Sequence, residues 1–271
     1  MRIAVGSVRD ALAAAEEALR AAGCDTPRLD AELLLADALG VSRGALVADP
    51  QRPITPPAAR RMGEHVRRRL RREPVAYILG TKGFRHIDLA VDGRVLVPRP
   101  ETELLVEVAL ALPEGAHVHD VGTGSGAVAL AIKHERPDLR VTASDASEAA
   151  VAVARANAER LGLDVPIGVG RGLVPEAAGA DLVVANLPYV REDEWPALQP
   201  EITRWEPREA LVAGADGLDA IRELVAQAPG GLRLALEHAP AQAEAVRTLL
   251  REAETLRDLA GRERVTVGVA P

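Results

Sequence analysis

The residues best suited to chemistry form one short turn, Asn186, Leu187, Pro188 and Tyr189, directly after an apolar run at residues 181–185. An amide or exocyclic amino nitrogen is hard to methylate because its lone pair is delocalised into a π system. The Asn186 side-chain oxygen and the Leu187 carbonyl could each accept one N–H of such a nitrogen, and Pro188 would fix the turn. Tyr189 could lie over the planar group and align it for in-line displacement. The turn predicts methylation of a planar nitrogen, with Asn186 and Tyr189 catalytic and all four residues binding the substrate. The alternative is a strand-ending Asn-x-Pro turn without such a role.

A glycine-rich loop between a predicted strand and a predicted helix is suited to a nucleotide-like cofactor. Its alternating glycines let the backbone turn sharply and approach a ligand, and the amides that open the next helix can hold a carboxylate. Asp145, at the end of the next predicted strand, could accept both hydroxyls of a ribose, and Asp120 could contact an ammonium group. A nicotinamide nucleotide fits the same pattern, and each acid could instead cap a helix. Combined with the turn, the pattern predicts S-adenosylmethionine bound by Asp120, Gly122, Thr123, Gly124, Ser125, Gly126 and Asp145.

The elements that must position these residues alternate between strand and helix from residue 117 onward. Such alternation indicates an α/β domain with a mainly parallel sheet and helices on both faces, and ligands of such sheets bind at the carboxyl ends of the strands. A further amphipathic helix is predicted over residues 101–112, with acids in its first turn. The predicted strands are residues 117–121, 140–144, 181–185 and 232–237, and the predicted helices are residues 127–134, 148–161, 221–228 and 241–253.

The first part of the chain has a helical pattern instead. Ser7 can cap a first helix, a second starts near Pro27 and ends at Gly40, Ser42 can cap a third, and Pro56 opens a fourth. Residues 77–79, 84–91 and 95–97 then alternate between glycines, which indicates short strands or a hairpin. We therefore predict a small all-helical N-terminal domain at residues 1–73, a β-hairpin linker at 74–98 and an α/β domain at 99–271.

Charge and composition exclude several functional classes. The net charge of −7 argues against a general nucleic-acid binder, and an aromatic content of 2% leaves few stacking platforms for bases. One short segment is nevertheless strongly basic. It is either a solvated helix face or a docking surface for an acidic protein or RNA phosphate. Its arginines are Arg60, Arg61, Arg67, Arg68, Arg69, Arg71 and Arg72.

Neither a metal site nor a membrane segment is predicted. The single cysteine, Cys24, excludes a disulfide framework and a Cys-rich metal site. His117 and His119 lie two apart on a predicted strand, but no matching cluster of ligands accompanies them, so buried strand histidines are expected. Residues 1–6 show no signal peptide, and no run of about 20 apolar residues could span a membrane. We expect a cytoplasmic protein.

Several longer motifs resemble one family. The turn at Asn186 is similar to the Asn-Pro-Pro-Tyr motif of amino-methyltransferases. Pro-Arg-Pro-Glu-Thr-Glu at residues 98–103 and Glu-Pro-Arg-Glu-Ala-Leu at 206–211 resemble segments of the HemK/PrmC protein-(glutamine-N5) methyltransferases. Gly-Ala-Asp-Gly-Leu at 214–218, Leu-Glu at 236–237 and Asp-Leu-Ala-Gly-Arg at 258–262 extend the resemblance over nearly the whole chain.

The resemblance implies a Rossmann-like methyltransferase domain that modifies the glutamine of the Gly-Gly-Gln loop in class 1 peptide-chain release factors, with the helical domain engaging the release factor. It also implies cofactor contacts by Gly172, Leu173 and Asn186. From the net charge we further expect no stable binding of nucleic acid, and we expect a monomer. Leu187 replaces the usual proline, and leucine there also occurs in ribosomal RNA adenine dimethyltransferases. Gly172 and Leu173 stand where the family often has an acid and an aromatic residue. A nucleic-acid amino-methyltransferase and a non-catalytic relative therefore remain alternatives.

Overall fold

The computed structural model describes residues 6–271, so the first five residues of the segment considered for a signal peptide lie outside the described part. The chain divides into two compact units. One contains the residues up to Gly80 together with Gln199–Trp205, and the other contains Thr81–Leu198 and Glu206–Pro271. The first unit is discontinuous in sequence, because a short segment from the second half of the chain completes it.

Helices and strands follow one another in chain order. The helices are α1 (Val8–Ala21), α2 (Pro27–Leu39), α3 (Arg43–Ala48), α4 (Pro56–Leu70), α5 (Val75–Leu79), α6 (Glu103–Leu110), α7 (Ala127–Glu135), α8 (Glu148–Leu161), α9 (Pro200–Trp205), α10 (Asp219–Gln227) and α11 (Ala243–Thr248). The strands are β1 (Thr81–Phe84), β2 (Ile87–Ala90), β3 (His117–Val121), β4 (Arg140–Asp145), β5 (Ile167–Val169), β6 (Leu182–Ala185), β7 (Arg233–Glu237), β8 (Arg251–Arg257) and β9 (Glu263–Val269).

Local sequence signals set the helix ends of the first unit. Ser7 forms a capping box with Asp10, which satisfies backbone amides at the start of α1. The Ser42 side chain caps α3 by accepting the Ala45 amide, and Gly40 ends α2 in a left-handed conformation that suits glycine. These predicted boundaries are confirmed. The apolar faces of α1, α2 and α4 meet in one core, with Leu19, Leu34, Leu35 and Met62 fully buried.

Part of the basic segment is buried in ion pairs within this unit. Arg69, with 6% of its side chain exposed, binds Asp30 and Glu201 at 2.7 Å each. Arg72, 14% exposed, binds the other oxygen of Glu201 at 2.6 Å. The expectation of a solvated face is therefore wrong for Arg69 and Arg72, because their charges hold α9 on the helical core. Further pairs join Arg68 to Glu73 and Arg61 to Asp37.

The second unit is built on a seven-stranded sheet of order β5-β4-β3-β6-β7-β9-β8. The first five strands in this order run parallel, and β9 is antiparallel to both of its neighbours. Nearly continuous apolar runs such as Leu182–Ala185 form the central strands because both faces of the sheet are covered. The β1–β2 hairpin is tied to α8 through Asn157, whose side chain bonds both backbone polar groups of Ala90 at 2.8 and 3.0 Å.

The two strand histidines are buried, as predicted. His117 and His119 both bond the Thr142 hydroxyl, at 2.9 and 2.8 Å, and His119 also bonds Ser144 at 3.0 Å. Burial lowers the pKa of His119 to about 4, so the ring is neutral at physiological pH. Among residues 6–271, no group of three or more His, Cys, Asp or Glu side chains is placed to hold a metal ion.

Some predicted elements are wrong. Residues 77–79 belong to α5 rather than to a strand, and residues 95–97 form no strand. The helix predicted over 101–112 is a 3-10 turn, Pro100–Thr102, followed by α6. In place of the helix predicted over 241–253, α11 spans only Ala243–Thr248, and the residues from Arg251 onward belong to β8, which pairs with β9. The α/β fold class, with its Rossmann-like sheet and helical N-terminal part, is confirmed.

Candidate active site

The strand register brings the predicted site residues to one edge of the sheet. Val121 pairs with Ser144 on one side and with Ala185 on the other, so Gly122, Asp145 and Asn186 leave their strands at the same level. Here the chain order reverses around β3, which is where open α/β sheets bind ligands. A cavity of about 740 Å³ opens at this edge. Predicted residues that line it are Asp120, Gly122, Thr123, Gly124, Ser125, Asp145, Gly172, Asn186, Leu187 and Pro188.

The glycine loop is shaped by backbone angles that suit glycine. Gly122, Gly124 and Gly126 have φ values of +75°, +57° and +85°. Open space surrounds the position of a Cβ on Gly124, so the loop leaves room for a ligand there. A Cβ on Gly126 would lie 2.8 Å from Leu130 Cδ1, and this glycine does not line the cavity. Gly126 therefore serves the close packing at the start of α7.

The two acids of the loop region have different partners. Asp145 accepts the Gly124 and Ser147 amides at 2.9 Å each, one on each carboxylate oxygen. Because each oxygen has a second lone pair, Asp145 can still accept two hydroxyls from a ligand. Asp120 is 2% exposed and accepts the Thr123 hydroxyl at 2.6 Å. Burial raises the pKa of Asp120 to about 6, so a cation at the cavity floor would stabilise its charged form.

Asn186 is held by a residue that the sequence analysis did not single out. Its Nδ2 donates to the Thr102 hydroxyl at 3.0 Å, and Thr102 is 4% exposed at the end of the 3-10 turn. The amide nitrogen is thereby turned toward Thr102, which leaves Oδ1 as the acceptor available to a substrate. The predicted Leu187 packs its side chain on the glycine loop, since a Cβ on Gly122 would lie 3.0 Å from Leu187 Cδ2.

Tyr189 is oriented by Glu237, which the sequence analysis named only within a segment of the resemblance and gave no role. Its hydroxyl donates to Glu237 Oε1 at 3.3 Å, and its ring does not line the cavity. Burial raises the pKa of Tyr189, so the phenol stays protonated. Glu237 is fully buried at the end of β7, where Leu236 pairs with Ala185. An acid closing a predicted apolar strand beside the Asn186 strand was the sequence signal that could have revealed it.

Gly172, which lines the cavity, lies against the Gln227 side chain, a contact that the sequence did not indicate. Gly172 has a φ of +66°, and a Cβ there would lie 2.8 Å from Gln227 Cδ. Gln227 Oε1 also accepts the Leu173 amide at 2.9 Å, and Leu173 does not line the cavity. The resemblance led us to expect a side chain at position 172. The Gln227 side chain occupies that space instead.

The segments near residues 98–103 and 206–218, which carry the family resemblance, contact each other and the turn. Buried Glu206 accepts the Val97 amide at 3.1 Å and pairs with Arg99. Gln242 Nε2 donates to the Tyr189 carbonyl at 2.9 Å. Gly217, at a φ of +75°, lies against that carbonyl so closely that no side chain fits there. The contacts of Gln242 and Gly217 with the Tyr189 carbonyl fix the backbone that follows Asn186.

Comparison with known proteins identifies the family. Residues 10–80 match the PrmC N-terminal domain and residues 100–203 match the methyltransferase small domain. The release factor glutamine methyltransferase of Pseudomonas aeruginosa is 47% identical over 90% of this chain and 94% of its own. The chain belongs to the release factor glutamine methyltransferase family. The Caulobacter vibrioides relative of the same name is 42% identical over 94% of each chain.

A solved structure with a similar fold is the hMettl16 catalytic domain, determined with an RNA hairpin. It shares 12% identity and a TM-score of 0.50 over 66% of this chain and 74% of that one, which shows the fold alone. The present chain belongs to the release factor glutamine methyltransferase family and contains a methyltransferase domain. It is therefore an enzyme that depends on S-adenosylmethionine. No helix in the described range is both long and apolar enough to cross a bilayer.

Proposed function

We propose that this enzyme methylates the side-chain amide nitrogen of the glutamine in the Gly-Gly-Gln motif of class 1 peptide-chain release factors. One observation carries the proposal: Asn186 lines the cofactor cavity with its Nδ2 bound to Thr102, so that its Oδ1 is available to a substrate N–H. A primary amide has two N–H groups, and Asn186 Oδ1 with the Leu187 carbonyl offers two acceptors next to each other in the chain. Names of relatives such as that from Pseudomonas aeruginosa support the choice of a glutamine substrate.

The cavity residues fit S-adenosylmethionine. Asp145 has lone pairs left for the ribose hydroxyls, Gly124 leaves open space in the loop, and buried Asp120 is suited to an ammonium group. When bound, this cofactor supplies a methyl group on a positively charged sulfur. Gly172 gives no side-chain acceptor for an adenine, so backbone groups near it are proposed to hold that ring. Leu173 follows Gly172 in the chain but does not line the cavity.

The protein contributes positioning rather than a general base. Two acceptors on the amide hold its nitrogen in place and favour the pyramidal geometry in which the lone pair can react. The proton that the nitrogen loses can pass to solvent after transfer. Tyr189, held by Glu237, is proposed to support the planar group of the substrate. Pro188 restricts the backbone between Asn186 and Tyr189. Asn186 and Tyr189 remain the proposed catalytic residues.

We also propose a cytoplasmic monomer that does not bind nucleic acid stably. Release factors act in translation termination, so their modification places the enzyme in the same compartment. The net charge of −7 and the ion pairs that occupy Arg69 and Arg72 disfavour a phosphate-binding surface. Light scattering of the purified protein tests whether it is a monomer. A salt-dependent mobility shift of RNA in a gel would contradict the absence of stable nucleic-acid binding.

Mass spectrometry of a class 1 release factor after incubation with the protein and S-adenosylmethionine tests the main proposal. The expected product is one added methyl on the Gly-Gly-Gln glutamine, lost with the Asn186→Ala variant and with a release factor carrying Gln→Ala at that position. Methylation of ribosomal RNA instead would support the nucleic-acid alternative. Calorimetric binding of S-adenosylmethionine without methylation of either substrate would indicate a non-catalytic relative.

A further inference from the structure

Two side chains, Tyr189 and Thr102, link the proposed catalytic turn to one buried carboxylate. Glu237 is fully buried, and its Oε1 accepts the Tyr189 hydroxyl at 3.3 Å. The Thr102 hydroxyl favours the charged form of Glu237, and Thr102 Oγ1 accepts Asn186 Nδ2 at 3.0 Å. Glu237 does not line the cavity, yet it is linked to Tyr189 directly and to Asn186 through Thr102.

The charge of Glu237 determines the direction of the link through Thr102. A carboxylate only accepts hydrogen bonds, and a threonine hydroxyl has a single proton to donate. Thr102 accepts from Asn186, which commits the Asn186 amino group and leaves its Oδ1 for the substrate, and the single Thr102 proton can be donated toward the Glu237 carboxylate. A neutral acid could donate its own proton to Thr102. The Thr102 proton could then turn to Asn186 Oδ1 and compete with the substrate for the same oxygen.

The surroundings of Glu237 make its charge easy to change. Burial and the nearby Glu101 carboxylate raise the pKa of Glu237 to about 7, against hydrogen bonds from Thr102 and Tyr189 and the charge of Arg264. Arg264 lies 3.6 Å from Glu101 and 3.1 Å from Asp258, so its charge is shared. Among the described residues, Glu237 Oε2 has no hydrogen-bond partner. The neighbouring His238 bonds Thr266 and the Ala239 carbonyl instead, and burial lowers its pKa.

We propose that Glu237, acting through Thr102 and Tyr189, is a positioning residue whose carboxylate form sets the Asn186 amide in the orientation that accepts the substrate N–H. The proposal rests on the proposed function of Asn186 as the acceptor for the glutamine amide. It adds a requirement that the turn alone does not impose: the enzyme is competent only when Glu237 is ionised. The kcat for methylation therefore rises with pH through about 7 and levels off above it.

The Glu237→Gln variant tests this because it keeps the shape of the side chain and removes the titration. Its amide can donate to Thr102 and reverse the link, so kcat should fall about 10- to 100-fold and lose its rise near pH 7. Thr102→Val should cause a similar loss by breaking the link, and Thr102→Ser should stay within about threefold of the wild type because it restores the hydroxyl. Calorimetry with S-adenosylhomocysteine should show unchanged affinity in Glu237→Gln, since Glu237 does not line the cofactor cavity.

A second readout does not depend on the substrate. The side-chain amide resonance of Asn186, followed by ¹⁵N NMR on the full-length protein with S-adenosylhomocysteine, should shift with a midpoint near pH 7 in the wild type and not in Glu237→Gln. If release factors are not methylated but the resonance titrates, the proposed function fails while the role of Glu237 stands. A resonance that does not respond, or a Glu237→Gln enzyme with the wild-type kcat and pH profile, would overturn the inference.

Discussion

Gly217 offers the sharpest test of how the catalytic turn is held. A Cβ at this position would lie 2.6 Å from Gln242 Nε2 and 2.9 Å from the Tyr189 carbonyl carbon, and closer still to the carbonyl oxygen. Contacts of a Cβ are ordinary only beyond 3.4 Å, so the Gly217→Ala change must displace the Gln242 amide by about 0.8 Å, the difference between the two distances. The Gln242 bond to Tyr189 would then be lost or weakened.

The expected magnitudes follow from these contacts. An alanine at positive φ costs roughly 1–2 kcal/mol, and the loss of a buried hydrogen bond adds about 1–3 kcal/mol. The matched control is Gly162→Ala, because Gly162 has a φ of +66° but nothing within 4 Å of a Cβ. We expect the free energy of unfolding to fall by about 1–2 kcal/mol in the control and about 2–5 kcal/mol in Gly217→Ala.

Activity should separate the two variants further. A displacement approaching 1 Å next to Tyr189 should lower kcat by about 10- to 100-fold in Gly217→Ala, and the control should keep its kcat. Urea unfolding followed by circular dichroism gives the stabilities, and transfer of a labelled methyl group to a release factor gives kcat. If Gly217→Ala retained kcat within threefold and lost no more stability than Gly162→Ala, the bracing of the turn by Gly217 and Gln242 would be refuted.

Three other perturbations have defined outcomes. Asp145→Asn replaces one acceptor oxygen with a donor and should weaken cofactor binding about tenfold or more by calorimetry, with equal affinity contradicting the ribose contact. Affinity for the cofactor should also fall as the pH drops below about 6, because protonation of Asp120 removes the charge that faces the ammonium group; the Asp120→Asn variant should bind weakly at every pH. Arg69→Met should destabilise the protein by about 3–5 kcal/mol because it leaves the buried Asp30 without a cation, whereas Arg61→Ala, at a side chain that is 58% exposed, should change stability by at most about 1 kcal/mol in the same urea titration.

The sequence predicted the parts of the site that depend on local pattern. The glycine loop, Asp145 and the Asn186 turn could be recognised because each sits where a predicted parallel strand ends, and parallel strands end at one edge. Helix starts at Ser7 and Ser42 were predictable for a similarly local reason, since a side chain caps amides only three residues away.

Long-range contacts explain what was missed. Thr102 lies 84 residues from Asn186, and Glu237 lies 48 residues from Tyr189, so neither partnership leaves a periodic signal. The 248–257 region has apolar residues at helical spacing, but pairing of β8 with β9 overrides that preference. The burial of Arg69 was hidden because Glu201, its partner, is more than a hundred residues away.

Because α9 belongs to the first unit, that unit cannot finish folding when its N-terminal part has just been synthesised. The ribosome delivers the residues up to Gly80 first, but the unit is complete only after the chain has been made through Trp205. Until then Arg72 lacks the carboxylate that it binds, and Arg69 has Asp30 alone. A nascent helical unit should therefore be less stable than the finished one, and the N-terminal fold reaches its final stability only once the catalytic turn, which precedes α9, has already been translated.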